Sequence, residues 1–375
     1  MNINKKFHRN NTFQYLIVLR NTHILISIKD ELIESRNLRD FDIDWKNENY
    51  CRLGTFIFQK YLKVSNSQLK GEFISIENGN VNHEVSEKLN NYICYKYFKN
   101  FGLFERISEP VISILYDIQK DKIIWEREYI NDVCGIHEQG VYARGDKMKS
   151  VDFYSLENGS PLWQFSVSEL GKRKWVNGSE TIEEEGQVSK IIGIMGEVLV
   201  VVITGGGDRD RARTQLIGLH TQTGELLWLL DGFEHEGITH PYLPTTATLM
   251  PDAQNEVLVG FQNRYFIEID PQVGKVTRCH KIDDQSQIHN LATIMDSFSL
   301  QGDHLYFRTS VSSMGGFPTA IGAFNYKTET IEWLHVFEEF AKEGKFIPIN
   351  QPKAEGNRVY ALDSGNTLHI FEREQ

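Results

Sequence analysis

The amino-acid sequence predicts an all-β fold, a seven-bladed β-propeller, from three observations. First, a short hairpin recurs, and its copies end at Trp125, Trp163, Trp228, Arg278 and Trp333, at steps of 38 to 65 residues. Second, two more strand-like segments precede the later copies, which gives four strands per unit. Third, the last unit has three strand candidates, while an N-terminal strand candidate has no hairpin partner of its own. Units of this length are typical of propellers and solenoids.

One copy of the hairpin, "GLHTQTGELLW" at residues 218–228, illustrates the chemistry of the unit. Its strands are rich in Leu, Ile and Trp, the composition of half-buried strands. Gly159, Gly224 and Gly274 lie at the reversals, where glycine accepts a positive φ, and Asp121 and Glu329 take that place in two other copies. We expect the recurrent tryptophan to pack between neighbouring sheets, because a residue in phase with a repeat stabilises the repeat.

The repeats predict a single domain over residues 1–375. The predicted blades are 22–89, 90–130, 131–167, 188–231, 245–282, 291–337 and 350–375. Residues 12–20, "TFQYLIVLR", are expected to supply the missing fourth strand of the last blade and so to close the ring without an exposed edge.

The segments "LIGLHTQTGELLW" and "RVYALDSGNTLHIF" resemble the pyrroloquinoline-quinone-like β-propeller repeat, over most of the chain after about residue 70. Members of that family that oxidise alcohols or sugars use the quinone with calcium, and many have a vicinal disulfide. This sequence has no adjacent cysteine pair, and no calcium-ligand set can be mapped onto it. The resemblance therefore implies a non-enzymatic member without a cofactor.

Composition narrows the environment and the partners. The chain has 375 residues and a formal net charge of −11, which disfavours nucleic acid and anionic membranes. Its four cysteines, Cys51, Cys94, Cys134 and Cys279, are scattered, in keeping with reduced thiols. Leu16–Leu19 is too short an apolar run for a signal peptide, and no cleavage site follows it. We expect a cytoplasmic protein.

Two motif-like stretches do not predict chemistry. In "EHEGITH", His235 and His240 are five residues apart, whereas a zinc-protease helix needs a spacing of four. In "TGGGDRDRART", residues 204–214, the Gly-Lys-Ser/Thr end of a phosphate-binding loop is absent. We expect both stretches to be loops, and no metal site is predicted.

The long connections predict a binding surface. In a four-stranded antiparallel blade, the second-to-third loops and the blade-to-blade links lie on one face. Nearly every long segment of this chain belongs to that set, which includes 167–187, 205–213, 231–244, 282–290, 310–318 and 337–349. Together they have a net charge of −7. Long loops on a rigid scaffold are where binding residues concentrate.

The candidate partner-binding residues combine acidic and other charged groups with aromatic residues and methionine, types that are frequent at interfaces. They are Trp175, Glu183, Glu184, Glu185, Asp208, Arg209, Asp210, Arg211, Phe233, Glu234, His235, Glu236, His240, Tyr242, Met314 and Phe317. The alternative is that these aromatic residues only anchor long loops to the scaffold.

Three functional hypotheses follow. The first is a non-catalytic protein-binding module, with a bacterial immunity protein that neutralises a basic toxin as its specific form. That form rests on analogy with other cytoplasmic propellers of this repeat type. The second is a quinone- or metal-dependent enzyme with a site at the propeller axis. The third is an assembly scaffold like the envelope lipoprotein that shares the repeat. Fold alone does not decide among them.

Overall fold

A computed structural model gives the structure of the protein. It describes residues 3–9, 13–19, 23–28, 32–37, 43–47, 52–53, 61–65, 71–75, 77–82, 89, 92–106, 110–130, 132–177, 180–205, 214–235, 237–240, 249–262, 265–282, 291–311, 317–348, 352–365 and 367–373.

These residues form seven four-stranded antiparallel sheets and one three-stranded sheet, numbered here 1 to 8 along the chain. Their strands, from first to last in each sheet, are Phe13–Leu19, His23–Ile28, Leu32–Asn37 and Ile43–Asn47 (sheet 1); Arg52–Leu53, Tyr61–Ser65 and Gly71–Ser75 (sheet 2); Tyr92–Phe98, Phe101–Arg106, Ile112–Asp117 and Lys122–Glu128 (sheet 3); Val133–His137, Gly140–Arg144, Ser150–Tyr154 and Pro161–Ser166 (sheet 4); Gln187–Met195, Val198–Thr204, Thr214–His220 and Leu226–Leu230 (sheet 5); Leu249–Asp252, Val257–Gln262, Tyr265–Asp270 and Lys275–Lys281 (sheet 6); Leu291–Gln301, His304–Val311, Ala320–Asn325 and Thr330–Val336 (sheet 7); and Lys353–Glu355, Arg358–Leu362, Leu368–Arg373 and Ile3–Arg9 (sheet 8).

Smaller elements join the sheets. They are the hairpins Arg173–Asn177 with Glu180–Glu184 and Phe233–His235 with Ile238–His240, the helix α1 at Phe340–Glu343, and the 3-10 helices Asp146–Met148 and Val167–Leu170. From sheet 3 to sheet 8, the first strand of each sheet contacts the first strand of the next. The sheets therefore follow one another side by side, with their first strands innermost.

The sequence predicted one blade over residues 22–89, but two sheets lie in this region. Sheet 1 ends at Asn47 and sheet 2 begins at Arg52, so the described residues form eight sheets of three or four strands rather than seven. The tryptophan in the last strand of sheet 1, Trp45, was not recognised as a copy of the repeat because Phe41 lies four residues before it, where the other copies have Gly, Asp or Glu.

The strand that completes the last sheet also differs from the prediction. Ile3–Arg9 pairs antiparallel with Leu368–Arg373, whereas Phe13–Leu19, within the predicted 12–20 segment, pairs with His23–Ile28 and begins sheet 1. The prediction chose the more apolar segment. Fourth strands are the outer strands of these sheets, and polar or charged residues are usual on sheet edges, so the polar "INKKFHR" is the better edge strand.

The recurrent tryptophans pack between neighbouring sheets, as predicted. Three of them donate the indole N–H to a carbonyl in the last turn of the next sheet: Trp125 to Leu156 at 3.1 Å, Trp163 to Thr221 at 2.8 Å and Trp228 to Pro271 at 2.9 Å. The glycine three residues after each carbonyl lies under the ring. A Cβ on Gly224 would lie 2.6 Å from Cε3 of Trp163, so only glycine leaves room for the contact.

Between sheets 6 and 7, two charged side chains take the place of the tryptophan and the glycine. Arg278 takes the tryptophan position, and its guanidinium donates to the carbonyl of Tyr326. Its Nε lies 3.5 Å from Oε1 of Glu329, the residue that replaces the turn glycine and has a left-handed φ of 58°. The substitution of tryptophan by arginine is thus matched by the substitution of glycine by glutamate.

The apolar core lies between sheets. Val151 and Phe165 of sheet 4, for example, pack with Leu199 and Val201 of sheet 5, and all four are at most 2% exposed. Similar clusters join sheets 2 and 3, 3 and 4, 5 and 6, 6 and 7, and 7 and 8. Each sheet is therefore held by its neighbours, which provides a rigid base for the connections.

Candidate partner-binding face

The connections of the sheets divide between two faces. Because each sheet is antiparallel, the first-to-second and third-to-fourth turns lie at one end of the strands, and the second-to-third connections and sheet-to-sheet links lie at the other. We call the first end the turn face and the second the connection face. Both extra hairpins, helix α1 and both 3-10 helices belong to the connection face.

Hydrogen bonds join successive connections of sheets 7 and 8 into one surface. The N–H of Ile347, in the link between the two sheets, donates to the carbonyl of Pro318 at 2.8 Å, and the N–H of Ser364 donates to the carbonyl of Phe346 at 2.8 Å. Arg308, 6% exposed, donates from Nη1 to the carbonyl of Ile347 at 2.8 Å. Residues 317–319, 337–348, 363–365 and 367 therefore form one hydrogen-bonded region.

Phe317 is the most exposed large apolar side chain among the described residues, at 66%. Its ring stacks on Phe346, with ring centroids 5.8 Å apart and an interplanar angle of 27°. Phe346 is half-buried and is held by the hydrogen bonds of the link. Phe317 was predicted from the sequence as a candidate, whereas Phe346 was not. Together the two rings present an aromatic surface to solvent on the connection face.

A buried, hydrogen-bonded histidine–aspartate pair lies within the same region. His369 and Asp363 are 0% and 1% exposed, and Nε2 of the histidine lies 3.1 Å from Oδ2 of the aspartate. Burial acts to raise the pKa of Asp363, but the hydrogen bonds from His369 and from the N–H of Thr367 outweigh it and lower the pKa. Phe337 packs against His369, with ring centroids 4.7 Å apart. The His369–Asp363 pair therefore connects the 363–365 segment to the buried side of the 337–348 segment.

The predicted acidic run lies at the end of the hairpin between sheets 4 and 5. Trp175 is in its first strand, opposite Ile182. Glu183 is exposed, while Glu184 and Glu185 are half-buried. Nζ of Lys149 donates to the carbonyl of Glu185 at 3.3 Å. The structure brings Trp175 and the acidic run onto one element, with Glu183 the most accessible of the three carboxylates.

The "EHEGITH" stretch contains a hairpin rather than the predicted loop. Phe233 pairs with His240 and His235 pairs with Ile238, with Gly237 at a φ of 76°. Phe233 is half-buried against the core between sheets 5 and 6, whereas Glu234 is exposed. Phe233 thus anchors the hairpin to the scaffold, which was the alternative to partner binding for the aromatic candidates. Glu234 remains accessible to solvent.

Several candidates lie outside the described residues. They are Asp208, Arg209, Asp210, Arg211, Glu236, Tyr242 and Met314. For these residues the sequence prediction stands as made.

A cavity on the connection face was missed by the sequence analysis. It lies between sheets 3 and 4, has a volume of about 320 Å³, and is lined by Glu105, Tyr129, Asp132, Val133, Gly145, Lys147 and Met148. Its walls come from connections too short to attract attention in the sequence, at residues 129–132 and 145–149. Tyr129, a lone exposed aromatic next to the end of a repeat hairpin, is the signal that could have indicated it.

Within the described residues, no group of three or more His, Cys, Asp or Glu side chains is arranged to hold a metal ion. Burial raises the pKa of the Cys134 thiol. None of the helices that the structure describes has the length and hydropathy needed to span a membrane.

The arrangement of four-stranded sheets is that of a β-propeller, and solved structures agree. BamB from Moraxella catarrhalis matches with a TM-score of 0.53 and 11% identity over 99% of each chain. Saccharomyces cerevisiae Sqt1 matches with a TM-score of 0.57 and 10% identity over 99% of each chain. The computationally designed Ika8 protein matches with a TM-score of 0.53 and 9% identity over 98% of each chain.

At such low identity these likenesses establish the β-propeller fold and nothing more. No family model and no curated protein sequence matches the chain. Membership of the pyrroloquinoline-quinone-like repeat family therefore stays a prediction.

Proposed function

We propose that this β-propeller is a non-catalytic protein-binding module whose connection face holds a basic protein partner. The single observation that supports it most is the distribution of the added elements. Both hairpins, helix α1 and the exposed Phe317 ring all lie on the connection face, while the turn face of sheets 3 to 8 has short turns. Binding residues of rigid scaffolds concentrate on such connections.

Charge supports a basic partner. The six long connections have a net charge of −7 out of −11 for the chain, and Glu183 and Glu234 are exposed on two different connection-face hairpins. An acidic surface of this kind accelerates encounter with a cationic protein and repels nucleic acid. The aromatic pair of Phe317 and Phe346 supplies the apolar contact that charge alone lacks.

We further propose a closed ring of sheets, a cytoplasmic location and a specific biological role. The sheets close into a ring, which the strand Ile3–Arg9 supports because it completes sheet 8. The protein acts in the cytoplasm, in keeping with its scattered cysteines. Its specific role is that of an immunity protein that neutralises a basic toxin, and the acidic connection face supports this role.

The test begins with a partner purified with the protein from its native host and then reconstituted from two pure components. Amide hydrogen exchange should show protection by the partner at residues 173–184, 233–240 and 317–348, with the turn face unchanged. Protection confined to the turn face would contradict the proposal. For the immunity role, co-expression should restore growth to cells that produce the partner.

A matched pair of charge-reversal variants tests the electrostatic contribution. Glu183→Lys with Glu234→Lys changes the connection face, and Glu157→Lys with Glu225→Lys changes exposed glutamates of the turn face. The first pair should weaken binding at low salt by about tenfold or more, since like charges across an interface are costly. The second should change it less than about twofold. Equal effects of the two pairs would remove the connection face from the proposal.

A further inference from the structure

We infer that the cavity between sheets 3 and 4 is an anchor site for an arginine side chain of a protein ligand. The inference rests on the proposed function, because it names one contact of the connection face. The volume of the cavity, about 320 Å³, is at the lower end of the range for ligand pockets, which is about 300 to 1,000 Å³. It therefore accommodates a single side chain better than a large cofactor.

The inner wall of the cavity is acidic. Glu105 is the penultimate residue of the second strand of sheet 3 and is 6% exposed. Asp132 lies in the link to sheet 4, where Nη2 of Arg144 is 2.5 Å from its Oδ2. An ionised carboxylate has about four acceptor positions, so one that already has a partner can still receive a donor from a ligand. A guanidinium, with five donors in a plane, matches such a wall.

The outer wall supplies an aromatic surface. Tyr129 is 46% exposed and lines the cavity. Burial and then the negative charge of Glu105 raise the pKa of Tyr129, so the phenol and the carboxylate face the same space. A guanidinium placed between them would stack on the ring while it donates to the carboxylate.

The remaining wall is a strained loop held in one conformation. Lys147 and Met148 both have left-handed φ angles, 52° and 59°, which are uncommon for residues other than glycine. The N–H of Met148 donates to the carbonyl of Gly145 at 3.0 Å. Nη1 of Arg144 lies 3.9 Å from Sδ of Met148 and donates to the carbonyl of Ser189 at 2.6 Å. The Met148 thioether is thus fixed beside the cavity, where it can contact a planar ligand group.

The charge of Lys147 allows an experiment to distinguish a cationic ligand from an anionic one. Its ammonium is exposed and opposes a cationic ligand, whereas it would favour an anionic one. For an arginine ligand, removal of the Lys147 charge strengthens binding and removal of the Glu105 charge weakens it. For a carboxylate ligand, both effects reverse.

The experiment uses the full chain labelled with ¹³C at the methionine methyl groups, of which there are six. The Met148 signal is identified by its loss in Met148→Leu. The probes are N-acetyl-Gly-Arg-Gly-amide and the same peptide with citrulline, which is neutral and nearly isosteric. The arginine peptide should shift the Met148 signal and bind at least about fivefold tighter than the citrulline peptide, because charge-assisted hydrogen bonds are the stronger ones.

Variants complete the test. Glu105→Gln should lower arginine-peptide affinity about fivefold and remove the preference over citrulline, and Lys147→Gln should raise the affinity about twofold. Glu126→Gln, an exposed glutamate of the same sheet that does not line the cavity, should have no effect. If Glu105→Gln does not fold, Tyr129→Ser tests the stacking contact, and it should lower arginine-peptide affinity.

Three results would overturn the inference: no Met148 shift with up to about 50 mM arginine peptide, an equal response to citrulline, or weaker binding in Lys147→Gln. The inference and the proposed function can fail separately. An arginine peptide that ignores the cavity, while a partner still protects the connection face, removes only the anchor site. A Glu105-dependent peptide response without any partner protection of that face leaves the site and removes the protein-binding role.

Discussion

The two faces of the propeller differ in how their residues hold together. On the turn face, Trp125, Trp163 and Trp228 each cover a glycine of the next sheet and donate one hydrogen bond, as Trp163 does to the turn that contains Gly224. On the connection face, backbone hydrogen bonds and a buried histidine–aspartate pair support exposed rings and carboxylates. The comparison indicates that the turn face stabilises the fold, while the connection face, which we propose for binding, exposes aromatic and acidic groups.

The largest expected effect is on the turn face. Trp228→Ala removes the ring that covers Gly274 and leaves the Pro271 carbonyl without its donor. We expect the free energy of unfolding to fall by about 3 kcal/mol, measured by chemical denaturation. Leu226→Ala on the same strand is the control, because Leu226 is 42% exposed and its loss should cost under about 0.5 kcal/mol. Equal losses would contradict a structural role for the tryptophan.

A glycine pair separates ring overlap from backbone strain. Gly224→Ala places a Cβ 2.6 Å from the Trp163 ring at a φ of 75°, whereas Gly344→Ala has a φ of 65° and open space. We expect losses of about 3 kcal/mol for Gly224→Ala and about 1 kcal/mol for Gly344→Ala. If thermal and chemical denaturation gave the same loss for both, the close approach to tryptophan would not explain the glycine.

The His369–Asp363 pair of the connection face has the next largest effect on stability, and this effect depends on pH. The pKa of Asp363 is lowered by hydrogen bonds from His369 and Thr367 that outweigh its burial, whereas an unfolded aspartate titrates near about 3.9. Its contribution is therefore complete above about pH 4 and is lost as pH falls through the lowered pKa. Asp363→Asn should lose about 2 kcal/mol at pH 7 and flatten the decline in acid. An unchanged acid profile would contradict the assignment.

The Arg278–Glu329 contact between sheets 6 and 7 can be compared with the tryptophan contacts on the same face. In a double-mutant cycle with Arg278→Met and Glu329→Gln, we expect a coupling energy below about 1 kcal/mol at low salt, since both side chains are about one-third exposed. The coupling should disappear near 1 M salt, while the cost of Trp228→Ala should not. A coupling that resists salt would make this contact equivalent to the tryptophan ones.

Phe317→Ala has the smallest expected effect on stability. At 66% exposure its truncation should change the free energy of unfolding by less than about 0.5 kcal/mol, while partner affinity falls by about tenfold or more. Denaturation and binding measured on the same sample check both parts. A large loss of stability would place Phe317 among the structural residues.

Part of this structure could be predicted from the sequence because the repeat has a local signature. The hairpins that end at Trp163 and Trp228 combine a turn glycine with a tryptophan four residues later, and Asp121 holds the glycine position before Trp125. Sheet 1 has Phe41 at that position, so Trp45 was overlooked. The strand 3–9 was passed over because hydrophobicity favours inner strands, whereas the position to be filled was an edge.

The candidate site was only partly predictable for a related reason. Long connections are visible in the sequence, and they placed Phe317 and Glu183 correctly on the connection face. The Glu105 cavity and the Phe346 ring depend on contacts between different sheets, which no local pattern encodes. Phe346, for example, reaches Phe317 only because the link between sheets 7 and 8 folds back over both.

The pairing of Ile3–Arg9 with Leu368–Arg373 has a consequence for biosynthesis. These two strands are the farthest apart in the order of translation, and ribosomes add about 5 to 20 residues per second. The first strand therefore waits roughly 20 to 70 seconds for its neighbour. Its lysines and arginine keep a nascent chain from pairing with the wrong edge during that interval.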